Sequence, residues 1–280
     1  MTELAESAPE VIIVAYDGSR HAQVALEWAA RTAAAEGRAV RAVAVSNAPD
    51  TAGHDADHPD EEVPPPLEAA WDAMGVTGTF EQLTGSVESV LLQQSLDAHA
   101  LVSGTRGRGR AADTFLGSVS HRLARHSSCP LIVVRPPSNP TAARIVAGVD
   151  GSPESIAALR FACHRASFTN EPVVALHAWN PGHINVDDDG QLPQRVGQRS
   201  KVAEMLVAEC IAQVRDEFPH VSIEPDTVPL TPSVALTEAS AHASLVVTGS
   251  RGRGVVTGLL LGSVSQHLLS HAHCPVAVTR

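Results

Sequence analysis

The chain has 280 residues, with 20 basic and 31 acidic side chains and a formal net charge of −11. At 44% hydrophobic and 18% charged residues it can bury a substantial core and is not a disordered chain. Its acidity argues against the nucleic-acid binding that rests on Lys and Arg neutralising phosphates. Lys201 is the only lysine and no glycine loop surrounds it, which removes Schiff-base chemistry and Walker-type phosphate binding. Cys129, Cys163, Cys210 and Cys274 lie far apart without a CxxC pair and read as buried reduced thiols. The opening MTELAESAPE lacks the basic and apolar regions of a signal peptide. No apolar run approaches the ~18 residues of a membrane helix. The expectation is a cytoplasmic protein without a membrane or nucleic-acid partner.

In chain order, Val11–Ala15 and Ala39–Val45 are short β-rich runs flanking an Ala-rich helix, His21–Glu36, with Gly37 at the helix stop. Ala48–Pro66 holds five prolines and six acids and reads as a mobile loop, with His54 and His58 solvated rather than metal-bound. Val87–His99 is a helix pattern feeding the apolar run Ala100–Ser103. Gly117–His126 is another helix, and Pro130–Val134 a strand. RPPSNPTAA (135–143) carries three prolines and reads as an extended connector, setting a boundary near Pro137 between domains 1–137 and 141–280. The second part repeats the series: Ile145–Val149, Ile156–Ala166, Val173–Ala178, Pro232–His242, Leu245–Thr248, Gly262–His271 and Val276–Val278. The acids Asp187, Asp188 and Asp189 do not form a calcium loop, because Gln198 stands where the loop needs Glu. Alternation of this kind argues an α/β fold, a parallel sheet covered by helices on both faces in each domain. Ligands of such sheets bind beyond the carboxyl ends of the strands.

An internal repeat is the strongest signal. Residues 104–135 and 249–280 match without a gap at 16 of 32 positions. The halves also begin alike, IIVAYDGS at 12–19 and IVAGVDGS at 145–152. After the fourth strand both carry one spacing: Gly104-x2-Gly107-x9-Gly117-Ser118 and Gly249-x2-Gly252-x9-Gly262-Ser263. Glycines there let the backbone turn with φ > 0 and approach a ligand closely. Gly117-Ser118 and Gly262-Ser263 then open helices whose unpaired N–H groups suit an anion. Ser118, Ser120, Ser263 and Ser265 add hydroxyl donors, and Arg106, Arg108, Arg110, Arg251 and Arg253 concentrate positive charge. Together these point to a phosphate chain. The first strand of each copy ends in Asp-Gly-Ser, at Asp17 and Asp150. Their carboxylates can accept from a base amino group or a ribose hydroxyl; the alternative is that they cap the next helix.

On these motifs the chain resembles a tandem universal stress protein, two domains of that family fused in one polypeptide. Both halves carry the family's nucleotide signature, G-x2-G-x9-G-S/T, and its first-strand Asp. The resemblance implies two doubly wound, Rossmann-like domains, each with a five-stranded parallel sheet and helices on both faces. It implies ATP, with Mg2+ or Mn2+, held by Asp17, Gly104, Gly107, Gly117, Ser118, Val119 and Ser120. In the second half the matching residues are Asp150, Gly249, Gly252, Gly262, Ser263, Val264 and Ser265. Val45 and Ala178, at the ends of the second strands, would border the adenine. The function implied is an ATP-binding regulatory protein of the stress response. Pairing of the two halves within one chain, a homodimer through outer helices and an unidentified regulatory protein are the partners expected.

Competing chemistry has less to stand on. Gly107-x-Gly109-x-x-Ala112 is a loose dinucleotide fingerprint, but it follows the fourth strand and no acid lies about 20 residues on. There is no G-x-S-x-G or HExxH. His271, His273 and Cys274 fall short of the four ligands of a closed zinc site, so no catalytic residue and no metal ligand is assigned. A slow ATP-hydrolysing enzyme and a nucleotide-free assembly module stay open as alternatives.

Overall fold

A computed structural model of the chain describes residues 11–46, 71, 74–107, 116–180, 194–253 and 260–280. The expected loop at 48–66 with His54 and His58, the acids Asp187–Asp189, and Arg108 and Arg110 lie outside the described residues. The chain divides into two compact units, Met1–Val134 and Arg135–Arg280.

The first unit runs β1 (Val11–Ala15), α1 (Arg20–Glu36), β2 (Ala39–Ser46), β3 (Gly78–Thr84), α2 (Val87–Gln94), β4 (Ala100–Gly104), α3 (Ser118–His126) and β5 (Leu131–Val134). Its strands are parallel in the order β3-β2-β1-β4-β5. The chain therefore winds outward from β1 on one side, then returns to add β4 and β5 on the other. The reversal leaves a crevice between the carboxyl ends of β1 and β4, where open α/β sheets take their ligands. The second unit repeats this with β6 (Ile145–Gly148), α4 (Pro153–Thr169), β7 (Val173–Ala178), α5 (Gln194–Arg215), β8 (Ile223–Val228), α6 (Pro232–Ser240), β9 (Leu245–Gly249), α7 (Ser263–His271) and β10 (Val276–Thr279). Its order is β10-β9-β6-β7-β8, again all parallel, with the crevice between β6 and β9.

The local chemistry explains the elements. Ser19 and Ser152 cap α1 and α4, accepting from the backbone N–H of Ala22 and Ser155 at 3.1 and 3.2 Å. Helix α1 stops at Gly37 and α4 at Asn170, both left-handed with φ of 66° and 55°. Strands β4 and β9 are buried along their whole length, as parallel strands with helices on both faces must be. Helix α1 packs on β4 and α4 on β9, while α2 meets α3 and α6 meets α7. All four cysteines are free and buried. Burial pushes the Cys163 and Cys274 thiols up to about 12, so neither is a nucleophile at neutral pH. Among the described residues no helix is long and apolar enough to cross a membrane.

Two strands and a helix have no counterpart in the sequence reading: β3, β8 and α5. The offset between the halves is 133 from Val45 to Ala178 and 145 from Gly78 to Ile223. The extra residues of the second half therefore lie between β7 and β8, the stretch that contains α5. Residues 135–143 belong with the second unit. The Arg135 guanidinium donates to the carbonyls of Leu269 and, at 2.7 Å, Ala272, closing the carboxyl end of α7. The Ser138 N–H donates to His273 at 2.8 Å.

Gly104 and Gly249 end β4 and β9 where the first turns of α1 and α4 press on the strand. A Cβ there would come within 2.7 Å of the His21 backbone or 2.8 Å of the Glu154 backbone. Gly104→Ala and Gly249→Ala are expected to destabilise the chain by about 1–3 kcal/mol each, the usual cost of overpacking. Urea unfolding monitored by circular dichroism checks this; unchanged midpoints would show that the helices move aside freely.

Candidate functional site

Each crevice holds a cavity. In the first unit it measures about 360 Å³ and in the second about 260 Å³, near the lower bound for small-molecule sites. The wall on the sheet side comes from Ala15, Tyr16, Val43 and Val45 in the first unit. In the second it comes from Gly148, Val149, Leu176 and Ala178. Helices α2 and α6 add Leu91 and Leu236. The opposite wall is the loop after β4 or β9 and the amino end of α3 or α7. The cavities bring together Asp17, Val45, Gly104, Gly107, Gly117, Ser118, Val119 and Ser120 in one half. In the other they bring together Asp150, Ala178, Gly249, Gly252, Gly262, Ser263, Val264 and Ser265. Arg106 and Arg251 also line them.

The loop is closed on itself by its own backbone. Gly117 donates to the Thr105 carbonyl at 2.9 Å, and Gly262 to Ser250 at 2.7 Å. The same closure is made across the same x9 spacing in both halves. Helices α3 and α7 then begin at Gly117 and Gly262 without a side-chain cap. Their first-turn N–H groups and the positive end of the helix dipole face the cavity. A Cβ on Gly117 or Gly262 would meet only ordinary contacts, at 3.5 and 3.4 Å, so the protein itself leaves that spot open. This is an anion-binding geometry.

Two parts of the sequence reading are corrected here. Gly104, Gly107 and Gly117, and Gly249, Gly252 and Gly262, do not adopt positive φ; among the described residues, the glycines that do are Gly18, Gly37, Gly75, Gly85 and Gly151. Gly107 and Gly252 instead stand where the Asp carboxylate comes close. A Cβ on either would lie 2.5 Å from Asp17 Oδ2 or 2.4 Å from Asp150 Oδ2, so the carboxylate would have to swing aside. The hydroxyls of Ser120 and Ser265 are also not turned to a ligand. They are buried and donate to the Gly104 carbonyl at 2.9 Å and the Gly249 carbonyl at 2.6 Å, locking the helix onto the strand end. Ser118 and Ser263 remain exposed on the first turn.

The Asp residues do not cap the following helix, since Ser19 and Ser152 do. Asp17 Oδ1 accepts from the Ser19 N–H at 3.0 Å. Asp150 Oδ1 accepts from the N–H and hydroxyl of Ser152, and Oδ2 from the Arg253 N–H at 2.8 Å. Between Asp and Ser, Gly18 and Gly151 take φ of 78° and 79°, a left-handed turn that suits glycine. The Arg253 guanidinium lies over Gly151, 3.0 Å from where its Cβ would be. Burial alone would raise the Asp150 pKa, but the hydrogen bonds from Ser152, Arg253 and Ser155 outweigh it and hold the carboxyl below its ordinary value.

The sequence reading missed the apolar half of the site, Tyr16, Val43 and Leu91 with Val149, Leu176 and Leu236. These are ordinary core-type residues and carry no motif. They also differ between the halves. Gly148 stands where the first half has Ala15, and Leu236 approaches so closely that a Cβ on Gly148 would lie 2.9 Å from Leu236 Cδ1.

Asp150→Asn tests the electrostatics. A carboxyl titrating below its unfolded value of about 3.9 contributes stability that is fully present above that pH. The contribution is lost as pH falls through the folded pKa. The wild type is expected to exceed the variant in stability at pH 6, with the gap closing below about pH 4. Thermal melts across pH 2.5–7 measure it, and a gap that is constant with pH would remove Asp150 as its source.

The comparisons with known proteins bear on the same residues. The model of the universal stress protein family matches twice, over residues 9–135 and 142–280. The chain is similar to Universal stress protein Rv2623 of Mycobacterium tuberculosis, 33% identical over 288 residues covering 96% of each chain. It is similar to the same extent to Rv2005c of that organism. Among solved structures, a universal stress protein from Archaeoglobus fulgidus superposes with a TM-score of 0.66 at 20% identity, covering 97% of this chain and 98% of that one. With both halves matched end to end, the chain belongs to the universal stress protein family.

Proposed function

We propose that each half binds one ATP, and that nucleotide occupancy sets the protein's regulatory state in the stress response. The observation that carries this is the pairing of an uncapped helix amino end with an apolar cleft across one cavity, in both halves. The amino ends of α3 and α7 would take the phosphates, with Arg106 and Arg251 adding charge. The apolar strand ends, Val45 and Ala178 among them, would enclose the adenine. The turns at Asp17 and Asp150 lie between, in reach of ribose or base. A Mg2+ or Mn2+ ion would be held chiefly by phosphate oxygens and water. The exposed Ser118 and Ser263 hydroxyls are the side-chain oxygens on hand, since the Asp150 oxygens already accept hydrogen bonds from the protein. Lys201, the only lysine, is exposed on α5 and does not line the cavity, which supports binding over rapid phosphoryl transfer.

Calorimetric titration of the full chain with ATP and Mg2+ is expected to give a stoichiometry near two. Gly107→Glu and Gly252→Glu are each expected to remove one equivalent with far-UV circular dichroism unchanged. The new side chain displaces the Asp carboxylate and sets a like charge before the phosphates. No binding by the wild type ends the nucleotide reading. Loss of helical signal in both variants would make the glycines purely structural.

A further inference from the structure

Helix α7 carries His267 and His271 one turn apart, so the two imidazoles share a face. Their rings stack with centroids 4.2 Å apart and planes 15° from parallel. His271 Nδ1 lies 2.9 Å from the His267 carbonyl oxygen. A carbonyl only accepts, so Nδ1 donates and Nε2 is the nitrogen left for a ligand. Metal-binding histidines are commonly oriented this way, one ring nitrogen donating to a backbone carbonyl while the other meets the ion. Two histidines at i and i+4 on a helix are also the core of the zinc site in HExxH proteins. His271 is exposed and His267 half-buried, so solvent reaches the pair and water can complete a coordination shell. The first half has Arg122 and His126 at the matching positions, so the pair is confined to the second.

We propose that His267 and His271 form a two-imidazole site for a late first-row divalent metal ion, with Cu2+ bound most tightly. Two imidazoles plus water match the tetragonal N,O preference of Cu2+, and the Irving–Williams order places it above Ni2+ and Zn2+. Hard ions such as Mg2+ and Mn2+ prefer oxygen ligands, so this site is chemically distinct from any ion carried by a nucleotide. An ion bound to both Nε2 atoms must lie near both ring planes. The stacked rings therefore open from 15° into a V, by side-chain rotation at the helix surface. The proposal does not depend on nucleotide binding.

The test uses the full chain and the metal alone. Cu2+ is titrated into the wild type, His267→Ala, His271→Ala and the double variant by calorimetry, with electron paramagnetic resonance of the one-equivalent samples. The wild type is expected to hold one equivalent at least about tenfold tighter than either single variant, with nitrogen hyperfine structure from two imidazoles. Zn2+ is expected to bind more weakly at the same site, and Mn2+ not at all. Retention of the tight equivalent in the double variant would place the ion elsewhere and overturn the proposal. Loss in only one single variant would reduce the pair to a lone ligand and overturn it equally. His267→Gln and His271→Gln, with circular dichroism, separate lost ligands from lost fold.

Discussion

The site in each half is organised by one contact, the carboxylate of the first-strand Asp pressed against a glycine of the loop after the fourth strand. Because β1 lies beside β4, and β6 beside β9, with their carboxyl ends together, the turn leaving one and the loop leaving the other share a small volume. The carboxylate fills it and the glycine yields it. From that point the geometry propagates both ways. The Asp fixes the left-handed turn that lets Ser19 or Ser152 cap the next helix, and that helix packs on the strand bearing the loop. The loop, its ends joined by a backbone hydrogen bond, delivers the amino end of α3 or α7 to the crevice. Asp-Gly-Ser and the glycine spacing are thus two parts of one device, although some 87 residues separate Asp17 from Gly104.

The halves keep this device and vary what lies opposite. On the anion-facing side the glycines, the Arg and the Ser-Val-Ser of the first helical turn are the same in both, down to the serine that locks the helix to the strand end. On the sheet side Ala15 becomes Gly148 and Tyr16 becomes Val149, and Leu236 packs close to Gly148. Fixed electrostatics admit one ligand geometry, whereas apolar walls tolerate exchange so long as volume is filled. Two cavities built on one anchor therefore differ in the shape of what they enclose.

That division also decides what the sequence could reveal. Gly104-x2-Gly107-x9-Gly117, its copy and both Asp-Gly-Ser turns were legible because each depends on residue type at fixed spacing. The reason for the glycines was not. Steric exclusion by a carboxylate on a distant strand leaves the same letter as a left-handed turn. Ser120 and Ser265 looked like ligand donors because their local position suits one, while the carbonyl that takes their proton belongs to another element. Strands β3 and β8 escaped notice as edge strands with mostly exposed or half-exposed residues, one opening on Gly78 and the other interrupted by Pro225. The repeat itself carried the fold, since a segment that recurs with its spacing intact must close the same loop twice.

The stitching of Arg135 to the carboxyl end of α7 bears on where the polypeptide can be cut. Residues 135–143 look like dispensable linker, yet their first side chain occupies the carbonyls of Leu269 and Ala272. A gene fragment beginning at codon 141 would encode β6 to β10 but abandon that guanidinium. It would leave two orphan acceptors on the helix whose far end opens on the cavity. A fragment beginning at codon 135 would carry its own clamp, although by the repeat Arg135 is the last residue of the first copy.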